Sequence, residues 1–475
     1  MNLEEYRALD ATALAELVRR REVQPRELMG LALQAVEAFN PRINAVLETF
    51  EDELDRVDAN GALYGVPFLI KDILVHRGGG KLEMGSRMAR GVTTPTDTEL
   101  MLRFRRAGLV SIGRSNTPEF GHGCTTEPVA NGPTRNPWDL GRMAGGSSGG
   151  AGAAVMAGIV PAAHANDGAG SIRIPAACNG LFGLKPTRGR VSLAPDMGEA
   201  LFGMGIENAL TRTVRDAAAL LDLIEGPAPG DPYAIARPAA SYREEIRQAP
   251  GRLRIAYSTR AFSGAPIDTE CVAATEAAAR LCEALGHTVE EAGPNFSYQE
   301  FREACIRGWA AGIYTWTEAL AEATGRKPGL DVLETATYSA YEYGRGLSAK
   351  DLLWVPGALN RVCRAVAPFF TQYDVLLTPT TSRPAQPLGT YNQNAPGLTT
   401  HGWFDHKGSF APFLALFNVT GQPAMSVPLA QSAGGLPIGL HFVAGFGRED
   451  QLFRLAAQLE QARPWAARRP ALQPA

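Results

Sequence analysis

Residues 145–152 of this 475-residue chain read GGSSGGAG, and no other stretch narrows its possible folds so sharply. Glycine loses more conformational freedom on folding than any other residue, so a glycine-dense run is a linker unless the backbone there must pass very close to something. The flanks are not those of a linker. Gly149 to Gly158 is apolar and rich in Ala and Gly, the pattern of a helix packed closely on its neighbours. The loop would then sit at a helix N-terminus, where anions are favoured and a serine gives up its proton more readily. A phosphate-binding loop does not fit. GxxxxGK[ST] is absent, and GGGK at Gly78–Lys81 has neither the spacing nor the Ser/Thr. Gly146 to Gly150 formally matches GxSxG, but the residues ahead of it, GRMA from Gly141, are a weak strand for a nucleophile elbow.

A second segment, NDGAGSIRIP from Asn166, places Ser171 after Gly168, Ala169 and Gly170. Small residues let successive backbone N–H groups converge on one spot, which is what an oxyanion hole requires. Asp167 and Arg173 flank the turn and can hold it as an ion pair; an ordinary tight turn before a strand is the plain alternative. A third segment is Lys71, at the end of the apolar run YGVPFLI. Only six residues of the chain are lysine, so one at the end of a buried strand needs a reason. It is either paired with Asp72 at a surface, or desolvated, neutral and able to act as a base. The seven histidines form no HExxH and complete no Ser-His-Asp set, so no metal site is expected.

Around these segments, strand-like and helix-like runs alternate. Tyr64–Ile70, Leu109–Gly113, Leu253–Tyr257, Asp374–Thr378, Ala424–Pro428 and Ile438–Val443 read as strands. Glu99–Ala107, Val214–Ile224 and much of 296–370 read as helices. Asp10 and Pro25 mark the starts of two early helices. The alternation predicts a layered α/β fold with a largely parallel core sheet. Between Pro379 and Phe410 about 30 residues read as loop, with enough aromatics to suggest an ordered wall of a site.

Composition closes off other classes. With 45% apolar and 20% charged residues the chain is globular, and a net charge of −3 gives no case for nucleic acid or an anionic membrane surface. The six cysteines include no CxxC pair, so reduced thiols in a cytoplasm fit best. The start, MNLEEYRALD, lacks the apolar core of a signal peptide, and the most apolar run, Ala151–Ala165, is too short to span a bilayer.

Taken together, GGSSGG…NDGAGSIRIPAACNGLFGLKPT (residues 145–187) and VPFLIKDI around Lys71 resemble the amidase signature family. Supporting matches are SNTPEFG, TRNPWD, NVTGQPAMSVPL and GLPIGLHFV, so the resemblance runs over nearly the whole chain and is weakest between 230 and 370. It implies an α/β amidase signature fold: a large mixed, mostly parallel sheet flanked by helices on both faces. It implies a single domain over 1–475, with N-terminal helices (1–60), a signature core (61–225), a helical insertion lining the substrate pocket (252–370) and C-terminal core strands with an active-site loop (371–475).

Carried over residue by residue, Ser171 is the nucleophile, Ser147 the bridging serine of a cis peptide, and Lys71 the base. Gly168, Ala169, Gly170 and Ser171 form the oxyanion hole, and Ser148, Asp167 and Arg173 support it. Ala169 stands where the family usually has a glycine, and Asn166 where it has threonine. The AHANDGAGS pattern is most similar to hydrolases of cyclic nylon oligomers, aryl acylamidases and urethanases. On that likeness His122, Cys124 and Cys305 belong to the substrate pocket. His122 either donates to a substrate carbonyl or caps a turn, and Cys305 either faces the substrate or is a buried structural thiol.

The implied activity is cofactor-free hydrolysis of bulky amides or carbamates, with water as second substrate, in a monomer or homodimer. The aromatics of 296–345 and 380–410 suggest a roomy apolar pocket. The alternative on the same fold is the glutaminase subunit of a tRNA-dependent amidotransferase; a catalytically dead binding module is a further rival, opposed by intact Lys71, Ser147 and Ser171.

Overall fold

The structure, a computed structural model, describes all residues, 1–475. Its N-terminal helices start where the sequence marks them. Asp10 accepts from Ala13 N–H to cap Ala11–Arg19, and Pro25 opens Pro25–Ile43. They pack on the core. Tyr6 donates its hydroxyl to the Ile159 carbonyl, and the N–H groups of Ala11 and Thr12 donate to Asp216.

Two sheets organise the centre. The larger has eight strands in the order Thr288–Glu291, Arg254–Tyr257, Val375–Pro379, Pro437–Ala444, Ala424–Gln431, Phe182–Lys185, Ile206–Thr211 and Ala162–Asp167. It is mixed, but the expectation of a mostly parallel sheet is wrong. Only Thr288–Glu291 with Arg254–Tyr257, and Arg254–Tyr257 with Val375–Pro379, run parallel; the other five pairings are antiparallel. For one of these five the reason is connection length. A parallel return needs a crossover of a dozen or more residues. Between Gln431 and Pro437 only SAGGL intervenes, which permits a hairpin and nothing else.

The smaller sheet has the order Val46–Thr49, Val110–Ser115, Pro67–Lys71. Pro67–Lys71 is buried throughout and runs parallel to Val110–Ser115, bringing Lys71 opposite Ser115 at its C-terminal end. It also packs against Ala162–Asp167, the edge strand of the large sheet. Helix Gly149–Ala157 is buried at every position, as its run of Ala and Gly requires. Val214–Ile224 is helical over the expected residues, with Thr213 as its cap. The expected loop after Pro379 is shorter than the sequence suggested. Thr400–Phe410 is a helix, capped by Thr399, which accepts from Gly402 N–H. Its two glycines and two histidines blur the helical pattern. No helix is long and apolar enough to cross a membrane.

Candidate active site

Three chain segments meet where the two sheets touch. Lys71 comes from the end of its strand, Ser147 from the loop ahead of Gly149–Ala157, and Ser171 from the turn between Ala162–Asp167 and the helix Arg173–Asn179. The glycines of the loop are there for space. A Cβ on Gly146 would lie 2.5 Å from the Thr125 carbonyl oxygen, so that backbone approach admits no side chain. The Gly146–Ser147 peptide is cis.

Lys71 is fully buried, and its Nζ lies 2.7 Å from Ser147 Oγ and 2.5 Å from Asn166 Oδ1. Asp72 is not its partner; that carboxylate takes the Arg114 guanidinium at 2.6 Å. Burial without an adjacent acid lowers Lys71 from the usual lysine range to about 7, against the more distant pull of Glu207 and Asp167. The Lys71 backbone N–H donates to His164 Nδ1 at 3.1 Å, and the other ring nitrogen of His164 bonds Glu207. Strand end and base are thus tied to the core by separate contacts.

Ser171 and Ser147 line one cleft, walled by Ile73, Leu74, Phe120, Leu201, Trp309 and Trp316. Its free volume is about 30 Å³, so the expected roomy pocket is not at the serines. Two larger cavities of about 320 and 660 Å³ adjoin it, and Trp316 is a wall of both; the smaller is a pit walled by three separate segments, 74–100, 192–207 and 316–323. Trp309 and Trp316 belong to the helix Tyr298–Thr324, within the region read as pocket-lining, whereas no residue of 380–410 lines the cleft.

The Ser171 turn is fixed by a buried ion pair. Asp167 accepts from Arg173 Nε and Nη2 at 2.9 Å each, and Arg173 also donates to Asn418 Oδ1 at 2.6 Å and to the Leu414 carbonyl at 3.1 Å. Although burial opposes it, the Arg173 charge holds the Asp167 carboxyl well below the usual range. Asp167 also organises the backbone, taking the Gly170 N–H at 2.6 Å and the Ile172 N–H at 3.2 Å. Gly170 is therefore not available as an oxyanion donor, contrary to expectation. Gly170 itself has a φ of +129°, a conformation that side-chain-bearing residues rarely adopt. The N–H groups of Gly168, Ala169 and Ser171 have no protein partner. Ser148 Oγ bonds the Asn166 carbonyl at 3.3 Å and does not serve as an elbow nucleophile.

The three expected pocket residues lie outside the cleft lining. His122 caps the short turn Glu119–Gly121, its ring stacks on Trp309 at 5.6 Å, and burial keeps it neutral by lowering its pKa well below the ordinary value. Cys124 and Cys305 sit in separate apolar clusters, and burial raises each thiol to about 12. Sequence reasoning missed Asn418, which clamps Asp167 and Arg173, although it opens the NVTGQPAMSVPL stretch already singled out. It also missed Lys407. This half-buried lysine sits 4.8 Å from the Trp309 ring and donates to the His122 carbonyl at 3.0 Å; desolvation lowers it to about 7.

Known proteins resemble this chain over nearly its whole length. The amidase family profile matches residues 27–453. A 6-aminohexanoate-cyclic-dimer hydrolase of Paenarthrobacter ureafaciens is 39% identical over 486 residues, covering 98% of this chain and 96% of the relative. An acylamidase of Rhodococcus erythropolis is 34% identical over 484 residues, covering 98% and 97%. The solved structure of 6-aminohexanoate cyclic dimer hydrolase complexed with substrate is similar with a TM-score of 0.93 at 37% identity, covering 98% of this chain and 99% of that one. With its signature segments folded around one cleft, the chain belongs to the amidase signature family and is a hydrolase acting on carbon–nitrogen bonds.

Proposed function

We propose that this hydrolase cleaves bulky amides and carbamates, of aryl amide, lactam, nylon-oligomer or urethane type, through an acyl-enzyme on Ser171. The observation that carries the reading is the buried Lys71 amine, unpaired by any acid, 2.7 Å from Ser147 Oγ on the cleft that Ser171 shares. A neutral amine there accepts the Ser147 proton as Ser147 takes the proton of Ser171. The Ser171 oxygen attacks the carbonyl carbon, and the resulting oxyanion is met by the N–H groups of Gly168, Ala169 and Ser171. Lys71 then returns the proton through Ser147 to the departing nitrogen, and the C–N bond breaks. Water repeats the sequence on the acyl-enzyme and frees the acid. With an N-aryl carbamate the same steps release the aryl amine and leave a carbonate ester on Ser171. Asp167, Arg173 and Ser148 hold the turn and loop and do not touch the reacting atoms.

The glutaminase alternative has less support. Glutamine needs partners for an α-carboxylate and an α-ammonium. The cleft walls offer Trp, Leu, Ile and Phe, and their one charged residue, Asp167, is consumed by Arg173. We place the enzyme in the cytoplasm as a monomer or homodimer, using side chains and water alone.

The test is hydrolysis of an acyl anilide, an N-aryl carbamate, a cyclic amide and glutamine by the protein and by Ser171→Ala. Aryl amine release that disappears in the variant is the expected result, and the anilide-to-carbamate ratio sorts amidase from urethanase. Turnover of glutamine alone would overturn the reading.

A further inference from the structure

A neutral amine has two N–H donors and one lone pair, and only the lone pair takes up a proton. A base at Lys71 therefore works only when that lone pair, and not an N–H, faces Ser147 Oγ. Burial leaves the choice open, because rotation about the last C–N bond of the side chain can present either to the serine. A second contact has to hold the amine in one orientation.

The strand Ala162–Asp167 supplies it. Side chains alternate along a strand, so His164 and Asn166 point to one face, and Ala165 and Asp167 to the other. The face of His164 and Asn166 lies against Pro67–Lys71. His164 Nδ1 takes the Lys71 backbone N–H at 3.1 Å, and Asn166 Oδ1 takes the side-chain amine at 2.5 Å. The amide of Asn166 is oriented at both ends. Its Nδ2 donates to the Ile73 carbonyl at 3.4 Å, which leaves Oδ1 as the end that meets Lys71. An amide oxygen only accepts, so one N–H of Lys71 is committed to it whether the amine is neutral or charged. Threonine, usual at this position in the family, carries a hydroxyl that both donates and accepts and so imposes no direction.

No acid competes for the amine. Glu207 and Asp167 act on it from a distance, Glu207 bonded to His164 and Asp167 to Arg173. Asp72 is held by Arg114 of the neighbouring strand, and the helix Gly149–Ala157 carries no charge. On the helix Pro25–Ile43, Arg26, Glu27 and Glu37 are exposed and Arg42 reaches the Gln473 carbonyl.

We propose that Asn166 is a positioning residue for the base: its amide oxygen holds one N–H of the Lys71 amine and thereby turns the lone pair of the neutral form onto Ser147 Oγ. A carboxylate in the same place would hold the same N–H but also pin the amine as an ammonium, whereas the amide aims it without charging it. The proposal rests on the reading of Lys71 as base for its effect on turnover. The contact itself is read from Lys71 without turnover.

The experiment compares Asn166→Asp and Asn166→Leu, both close in size to the original side chain, by two readouts. The first is the chemical shift of lysine labelled with ¹³C at Cε, followed against pH. The chain has only six lysines, and the Lys71 signal is the one missing from Lys71→Met. Its midpoint, about 7 in the unmodified protein, should rise by about one pH unit or more in Asn166→Asp and fall by about half a unit or more in Asn166→Leu, where the ammonium loses an acceptor. The second readout is hydrolysis of an acyl anilide. On the alkaline plateau Asn166→Leu should keep KM within about twofold yet lose kcat about tenfold or more, because its base is neutral but unaimed. Asn166→Asp should be about tenfold slow near neutral pH and recover to within about threefold once its higher midpoint is passed. Full plateau kcat in Asn166→Leu, or a Lys71 midpoint that neither substitution moves, overturns the proposal. Should Asn166→Leu fail to fold, the alkaline recovery of Asn166→Asp decides, and its absence overturns the proposal as well. If turnover survives Ser171→Ala while the two midpoints move apart, the functional reading fails and the Asn166 contact stands.

Discussion

The cleft at Ser171 and the pit beyond Trp316 are neighbours built on opposite principles. In the cleft the charged groups are held: Lys71 by Ser147 and Asn166, Asp167 by Arg173, Asn418 and two backbone N–H groups. In the pit the walls are mostly Leu, Met, Val, Ala and Trp. Proton transfer depends on atoms being placed to a few tenths of an ångström, so a small, over-determined site suits it. Apolar binding depends on area and volume, so a looser wall suffices. The difference teaches that two neighbouring hollows of one fold can differ in tolerance of change, one fixed by polar contacts and the other by apolar walls.

Substitutions that break the cleft should have the largest effects. Ser171→Ala is expected to lower kcat/KM for an acyl anilide by about 10⁴-fold or more, with the fold intact by circular dichroism. Next is Asp167→Ala, which leaves the Arg173 guanidinium buried without its partner. It should cost about 3–5 kcal/mol in urea unfolding at neutral pH. The sign with pH follows from the depressed Asp167 carboxyl. The stability it provides is present above the ordinary carboxylate range and is lost as acid takes the protein down toward the native value.

A pH profile sharpens the comparison, because it reads the cleft from the side of the pit. Lys71 acts as base only when neutral, so kcat/KM should rise with pH through about 7 and level off above it. The Glu207 charge favours the protonated amine. Glu207→Gln should therefore move the acid limb to lower pH; an unmoved or raised limb would show that Glu207 does not act on the base. The smallest effect belongs to the pit wall. Thr98→Ala removes the cap that accepts from Met101 N–H at 3.2 Å, and should cost about 1 kcal/mol in unfolding with little change in anilide turnover.

The cleft was more legible in the sequence than the pit, for a physical reason. Gly146, Ser147, Gly168 and Ser171 lie in two short runs whose chemistry demands particular residues at fixed spacing, so the pattern is local. The helix Val214–Ile224 was legible too, over the residues it occupies, and the structure adds its Thr213 cap. The contacts that clamp the site were not. Asn418 and His441 reach Arg173 across more than 240 residues, and nothing near Arg173 announces them. Strand direction was misread because alternation of elements implies crossovers, while five of the seven pairings are antiparallel, one of them forced by the short SAGGL link. Gly170 was read among the proposed oxyanion donors, and only the fold shows its N–H bonded to Asp167. His122, Cys124 and Cys305 were placed in the pocket on the family likeness alone; none of them lines the Ser171 cleft, and His122 stacks on Trp309, which is one of its walls.

The three-segment construction of the pit has a consequence for anyone recombining this chain with its relatives. A crossover placed between residues 100 and 192, or between 207 and 316, inherits one part of the wall from each parent. Chimeras made that way keep Lys71, Ser147 and Ser171 whenever both parents carry them, but acquire a mosaic cavity that neither lineage has tested. Replacing this cavity with that of another family member then means moving residues 74–100, 192–207 and 316–323 as a set. Libraries that diversify only one of the three sample a surface whose other sides remain those of the parent.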